Sequence, residues 1–204
     1  MKPFLLTLCF LFIGLFAFSQ VGYEAGYIIK NNGDTVRGTI KDRKFTTSPA
    51  NSGKIKFIDA KRNKSNITPD KVKGYCRKGS VFYRTLPVGR ESKLQFARIL
   101  ETGNVILFGY TTNTFVDAMA SAKSNKNAAD NHITSVIDYV YFYQKSKDPN
   151  SLMKVKRDKF ESVSLFYFKD YEGLIKQIES KSLKYEDIEL VVKKYNEFKA
   201  AANN

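Results

Sequence analysis

Gly26-Tyr27-Ile28-Ile29-Lys30-Asn31-Asn32-Gly33-Asp34-Thr35-Val36-Arg37-Gly38-Thr39-Ile40-Lys41 is the stretch that decides the fold. Tyr27, Ile28 and Ile29 make one short apolar run, and Val36–Ile40 makes another. Between them stand Asn31, Asn32, Gly33 and Asp34, residue types that tolerate the positive φ of a tight turn. The reading is a β-hairpin, and therefore an antiparallel sheet.

The same grammar repeats outward. Ile55, Phe57 and Ile58 alternate with lysines over Lys54–Ile58, which predicts a strand with one solvated face. Val72–Arg77 and Ser80–Leu86 flank Lys78-Gly79, and Lys93–Leu100 and Asn104–Thr111 flank Thr102-Gly103, so two further hairpins are expected. Val136–Tyr143 is β-branched and aromatic on both faces, and Leu152–Val155 adds a last short strand. The period then changes. Phe160, Val163, Phe166 and Tyr167 suggest one helix, although Glu161–Phe168 also alternates in part like a strand, and Leu174, Ile175 and Ile178 suggest a second, which Asp170 can cap. Ile188, Val191, Val192 and Tyr195 recur at i, i+3, i+4 and i+7, the stripe of a third. Strands followed by helices indicate an α+β fold: an antiparallel barrel or curved sandwich with two or three C-terminal helices.

The N-terminus has the form of a secretory leader. Lys2 precedes an apolar run from Phe4 to Phe18, too short for a membrane-spanning helix, and Ala17-Phe18-Ser19 is a small-residue cleavage site. Cleavage before Gln20 is expected, with export to the periplasm, the outer membrane or the exterior, and no membrane span afterwards. The expected organisation is a signal peptide over 1–19, a β domain over 20–155 and a helical segment over 156–204 packed on it. Cys9 lies inside the leader, and Leu8 is too large for a lipoprotein site. That leaves Cys76 alone, so packing rather than a disulfide must hold the domain. The segment 113–131, rich in Ala, Ser, Asn and Lys, reads as an exposed loop or a short helix from Val116 to Ala122, with disorder favoured over a partner-binding role.

Patches of the chain resemble a family of uncharacterised secreted and envelope proteins of Bacteroidota. They are Gly26-Tyr27-Ile28-Ile29 with Gly33-Asp34-Thr35 and Gly38-Thr39-Ile40, then Thr68-Pro69-Asp70-Lys71-Val72-Lys73-Gly74-Tyr75. Tyr167-Phe168-Lys169-Asp170, Tyr185-Glu186-Asp187-Ile188 and Tyr195-Asn196 complete the set. The resemblance implies an envelope or extracellular location and a β domain with a helical tail, and it implies no activity. Tyr171-Glu172 follows Asp170 where the family often carries a Cys-Pro pair, so no role for that Cys transfers.

Chemistry is sparse. His132 is the sole histidine, and with Cys76 it makes no metal-ligand set, so no metal or other cofactor is expected. The carboxylates of the β region are scattered, with Asp138 alone inside an apolar strand, and no glycosidase pair stands out. Gly33-Asp34-Thr35 and Lys78-Gly79-Ser80 are turn chemistry, since no helix follows to bind phosphate. Basic and aromatic residues interleave at Tyr75, Arg77 and Lys78 and at Tyr83 and Arg84, the candidate binding residues. Asp34-Thr35-Val36 marks Thr35 as a candidate O-glycosylation site.

The chain has 34 Lys and Arg against 20 Asp and Glu, a formal charge of +14, one less once Lys2 is removed. Such a protein is drawn to anionic surfaces in a salt-dependent way. Export and the absence of a nucleic-acid motif argue against nucleic acid. The expected function is a non-enzymatic binding or interaction module, its partners anionic envelope polymers or an outer-membrane protein. The alternatives are a small hydrolase acting on envelope polymers and a structural accessory domain of an outer-membrane complex.

Overall fold

The computed structural model describes residues 22–42, 53–88, 92–112 and 138–202. The leader, the 113–131 segment and His132 lie outside the described residues. The chain divides into two compact units, one running to Val81 and one from Phe82 onward. The class is α+β, with antiparallel strands followed by helices.

The first unit contains β1 (Glu24–Lys30), β2 (Thr35–Asp42), β3 (Ile55–Asp59), β4 (Lys64–Ile67) and β5 (Val72–Arg77). Their order is β5-β1-β2-β3-β4, antiparallel throughout. The opening hairpin closes as its turn residues require. Gly33 takes φ +96°, and Asn32 brackets Asp34, donating to its carboxylate at 2.7 Å and accepting from its N–H at 3.0 Å. Directly paired residues share a face of an antiparallel ladder. Ile28, Ile40, Ile55, Phe57 and Tyr75 therefore line one face, and all are buried. β4 carries no apolar pattern. Its turn is held by Asp59, whose carboxylate accepts from the Asn63 N–H at 2.8 Å and side-chain amide at 2.9 Å.

The second unit contains β6 (Val81–Leu86, all but its first residue), β7 (Gln95–Glu101), β8 (Val105–Thr112), β9 (Asp138–Lys145) and β10 (Met153–Val155). Three helices follow: α1 (Phe160–Tyr167), α2 (Glu172–Glu179) and α3 (Ile188–Ala201). The strand order is β10-β9-β8-β7-β6, again antiparallel. In neither unit does the last strand return to pair with the first, so the strands form open sheets rather than a closed barrel.

β8 is buried on both faces. Val105 and Leu107 meet Tyr143, Leu174, Val191 and Val192 beneath the helices. Ile106 and Phe108 pack with Leu86, Ala97 and Phe142 on the other side. This two-sided burial explains the unbroken apolar run Val105-Ile106-Leu107-Phe108.

Two polar clamps fix α3. Asn196 accepts from the Val105 N–H at 2.9 Å and donates to the Val105 carbonyl at 2.8 Å and the Thr102 carbonyl at 3.3 Å. Asn196 fills the space a Cβ on Gly103 would need, and Gly103 has φ +155°. The second clamp corrects an expectation. Asp170 does not cap α2, whose N-cap is Tyr171 without a side-chain bond. Its carboxylate instead accepts from the Tyr195 hydroxyl at 3.0 Å and from Lys199 at 2.8 Å. Charge-assisted bonds to α3 outcompete the N–H groups of a short helix. No helix among the described residues is long and apolar enough to cross a membrane.

Candidate functional site

The five candidate binding residues fall in different units. Tyr75, Arg77 and Lys78 belong to the first, Tyr83 and Arg84 to the second. β-sheet register brings Arg77 opposite Gly26 and Glu24 opposite Ile40, which gathers Glu24, Asp42, Tyr75 and Arg77 on the core face of the first sheet. Arg77 meets Asp42 at 3.0 Å and Glu24 at 3.2 Å. Lys78 meets the other Glu24 oxygen at 2.9 Å, and the Tyr75 hydroxyl donates to Asp42 at 3.1 Å. Burial pushes the Asp42 carboxyl up, against the pull of Arg77 and the Tyr75 hydrogen bond, and nearby Glu24 adds to the rise. The cluster balances two carboxylates with two cations. It locks the rim of the core face and leaves little net charge for a ligand.

Arg84 is also engaged internally. It donates to the buried Gln144 at 3.1 Å and lies 5.4 Å from the Phe108 ring centre. Gln144 passes the chain on to the Pro149 carbonyl at 2.7 Å. Tyr83 is half-buried, opposite Arg98.

The opposite face of the first sheet is different. Arg37 pairs with Tyr27, Thr39 with Ile58, Lys41 with Lys56, Lys56 with Asn66, and Ile58 with Lys64. Arg37, Lys41, Lys56 and Lys64 thus share one face, and no acidic residue of β1–β4 shares it. Glu24, Asp42 and Asp59 all lie on the core face. Arg37, Lys56 and Lys64 are exposed and have no ion-pair partner among the described residues, while Lys41 is half-buried with its ammonium 5.7 Å from the Tyr23 ring centre. Thr35, exposed at the start of β2, stands on this cationic face. These cations were not singled out from sequence. The signal was the alternation Val36-Arg37-Gly38-Thr39-Ile40-Lys41 together with Lys54–Ile58, which needed the strand register to become a surface.

In the second unit a cleft of about 590 Å³ opens beside the Asn196 clamp, lined by Glu101, Asn104, Ser146, Lys193 and Glu197 among others. Its mixed charges select no ligand of one sign. Among the described residues no group of three His, Cys, Asp or Glu could hold a metal ion. Asp138 opens β9, where its backbone pairs with Thr112. Cys76 is buried.

Comparison of the chain with protein-family models, with curated proteins and with solved structures finds no match.

The carboxylates give opposite pH dependences. Burial pushes Asp170 up, but the bonds from Lys199 and Tyr195 outweigh it and hold the carboxyl below its ordinary value. The stability it contributes is present above the unfolded aspartate value of about 4 and is lost as pH falls through the lower folded value. Asp42, raised, does the reverse: its contribution is full below that unfolded value and fades as pH rises through the folded one. The protection of the α3 amides, corrected for the intrinsic pH dependence of exchange, should therefore fall as pH drops below about 4, and Asp170→Asn should remove that change. The effect is under about 1 kcal/mol, because the pair is solvent-screened. Corrected protection that does not change with acid in the wild type would contradict the clamp.

Proposed function

We propose that this chain is an exported, non-enzymatic binding module of the cell envelope, and that it holds anionic envelope polymers on the cationic face of its first sheet. The observation that carries the reading is the sorting of charge between the two faces. Acids and Arg77 neutralise one another at the core face, while Arg37, Lys41, Lys56 and Lys64 project together from the other. A face of one sign raises the local concentration of a polyanion and loses its grip as salt screens it. Export rests on the leader-like 1–19 segment, and a glycan on Thr35 would stand on the same face.

The test is binding of the chain from Gln20 to immobilised dextran sulfate. Binding is expected at about 50 mM NaCl and should fall more than tenfold at about 300 mM. Replacing Arg37, Lys41, Lys56 and Lys64 by Gln should weaken it by at least tenfold, while Arg84→Gln leaves it intact. No binding at low salt, or an unaffected quadruple variant, would sink the reading. Protein recovered from an exporting host should have the mass of a chain beginning at Gln20.

The raised Asp42 beside Glu24 favours a second reading, a hydrolase of the same polymers. It predicts depolymerisation of an envelope glycan that Asp42→Asn abolishes. Intact polymer after prolonged incubation removes it.

A further inference from the structure

β10 is the outermost strand of its sheet, and Met153 opens it. Met153 pairs with Tyr143, so it lies on the face that the helices cover, yet it is 36 % exposed. α1 runs over this edge. The Tyr167 ring packs on Tyr143 at 5.2 Å, and its hydroxyl donates to the Ser151 carbonyl just ahead of β10. Glu161 lines a hollow together with Ile178 and Leu183, which places α2 on that flank of α1. At about 100° per residue, Val163 and Phe166 fall on the opposite flank, above β10. Phe166 is 61 % exposed, and Val163, one turn back, is half-buried. Met153, Val163 and Phe166 make a small apolar patch at the sheet edge. Exposed lysines surround it. Lys145 holds its ammonium 5.9 Å from the Tyr167 ring centre, Lys159 precedes Val163 on the same flank, and Lys169 follows Phe166. Lys154 and Lys156 border the outer strand, and none of the five has an ion-pair partner among the described residues. Neighbouring acids are largely engaged. Asp148 accepts from the Asn150 N–H at 3.0 Å, and Asp170 accepts from Lys199. Asp158 remains beside Lys159.

We infer that this edge docks the second unit on the surface of an anionic lipid bilayer. The inference stands apart from the polyanion reading, which uses the other unit. An interfacial anchor combines an apolar tip with cations around it. The tip enters the boundary between headgroups and acyl chains, and the ammonium groups stay among the phosphates. Lysine suits the rim, because its long stem lies along apolar surface while its charge remains in water. The attachment is peripheral, and no described helix is long and apolar enough to cross a membrane. A soluble anionic polymer would engage the lysines and leave Phe166 in water. A second copy of the chain would set like charges against each other around a two-fold axis. Three apolar side chains also fall well short of the roughly 800 Å² per partner that a stable dimer buries. Lys154 on the outer strand opposes the addition of another strand. A bilayer is the occupant that uses both the apolar patch and its cationic rim.

The chain contains no tryptophan, so Phe166→Trp places a single reporter at the patch. The experiment uses the chain from Gln20 and vesicles of mixed phosphatidylcholine and phosphatidylglycerol. Emission of the Phe166→Trp protein should move to the blue on these vesicles and be quenched by lipids brominated on the acyl chains. Leu190→Trp, at a position 45 % exposed on α3, should show neither change. In co-sedimentation, Met153→Ser combined with Phe166→Ser should weaken vesicle binding by about tenfold or more, with the melting temperature confirming the fold. Replacing Lys145, Lys159 and Lys169 by Gln should weaken it by at least about tenfold as well. Phe166→Trp emission that stays unshifted on vesicles the protein sediments with would assign that binding to the first sheet and overturn the docking edge. An equal shift on vesicles of phosphatidylcholine alone would overturn the assignment to an anionic surface. A shift produced by dextran sulfate would make a soluble polymer the occupant. Emission already blue without lipid, and moving red on dilution, would make a second copy the occupant. Either result overturns the bilayer. A protein that binds dextran sulfate and no vesicle overturns the docking edge and leaves the polyanion reading standing.

Discussion

Val192→Asp should unfold the second unit. Val192 is 0 % exposed, and so are Val191 and Ile188 on the same stripe of α3. They pack with Leu107 and Tyr143 of the strands and Leu174 of α2. An aspartate there loses the apolar contact and must either bury an unpaired charge or be protonated against its ordinary value. The cost is about 4 kcal/mol or more, a large share of the 5–15 kcal/mol that holds a typical domain. Leu190→Asp is the control. Leu190 is 45 % exposed on the same helix, and its replacement should move stability by no more than about 0.5 kcal/mol. Thermal melts followed by circular dichroism separate the two. An unchanged melting temperature for Val192→Asp would mean that α3 is a docking element for another protein, with its apolar stripe free in the isolated chain.

Much of this architecture could be read locally. The Asn31–Asp34 turn, the two-faced apolar run of β8 and the α3 stripe each announce their structure within a dozen residues. β4 could not be read so. Lys64-Ser65-Asn66-Ile67 has one apolar residue, and it is a strand because the Asp59–Asn63 turn presents its backbone to β3. Asp170 looked like a helix cap because local sequence favours that role. Tyr195 and Lys199, reaching back from α3, gave it another.

The candidate site was harder for a related reason. Aromatic and basic residues side by side, as at Tyr75–Lys78, look like a binding strip in one dimension. Folding brings Glu24 and Asp42 to Arg77 from strands far away in sequence, and its charge turns inward. The cationic face is the converse. Its members sit on three strands, and only the pairing of Lys41 with Lys56 and of Ile58 with Lys64 sets them together. A one-residue slip in any ladder would send them to the core face, and local sequence does not specify register to that accuracy.

Gly38→Val tests that register directly. Gly38 pairs with Gly26 on β1 and with Asp59 on β3. A Cβ on Gly38 would lie 2.2 Å from the Ile58 carbonyl oxygen and 2.7 Å from the Phe57 ring. The first of these is backbone and cannot swing aside, so β2 and β3 must part. Overpacking of this kind costs about 3 kcal/mol. Gly33→Ala provides the contrast. Nothing lies within 4 Å of a Cβ there, and its φ of +96° alone opposes the substitution, for about 1 kcal/mol. Urea unfolding of the two variants should rank them in that order. A Gly38→Val protein with wild-type stability would show that β2 and β3 do not approach as closely as described.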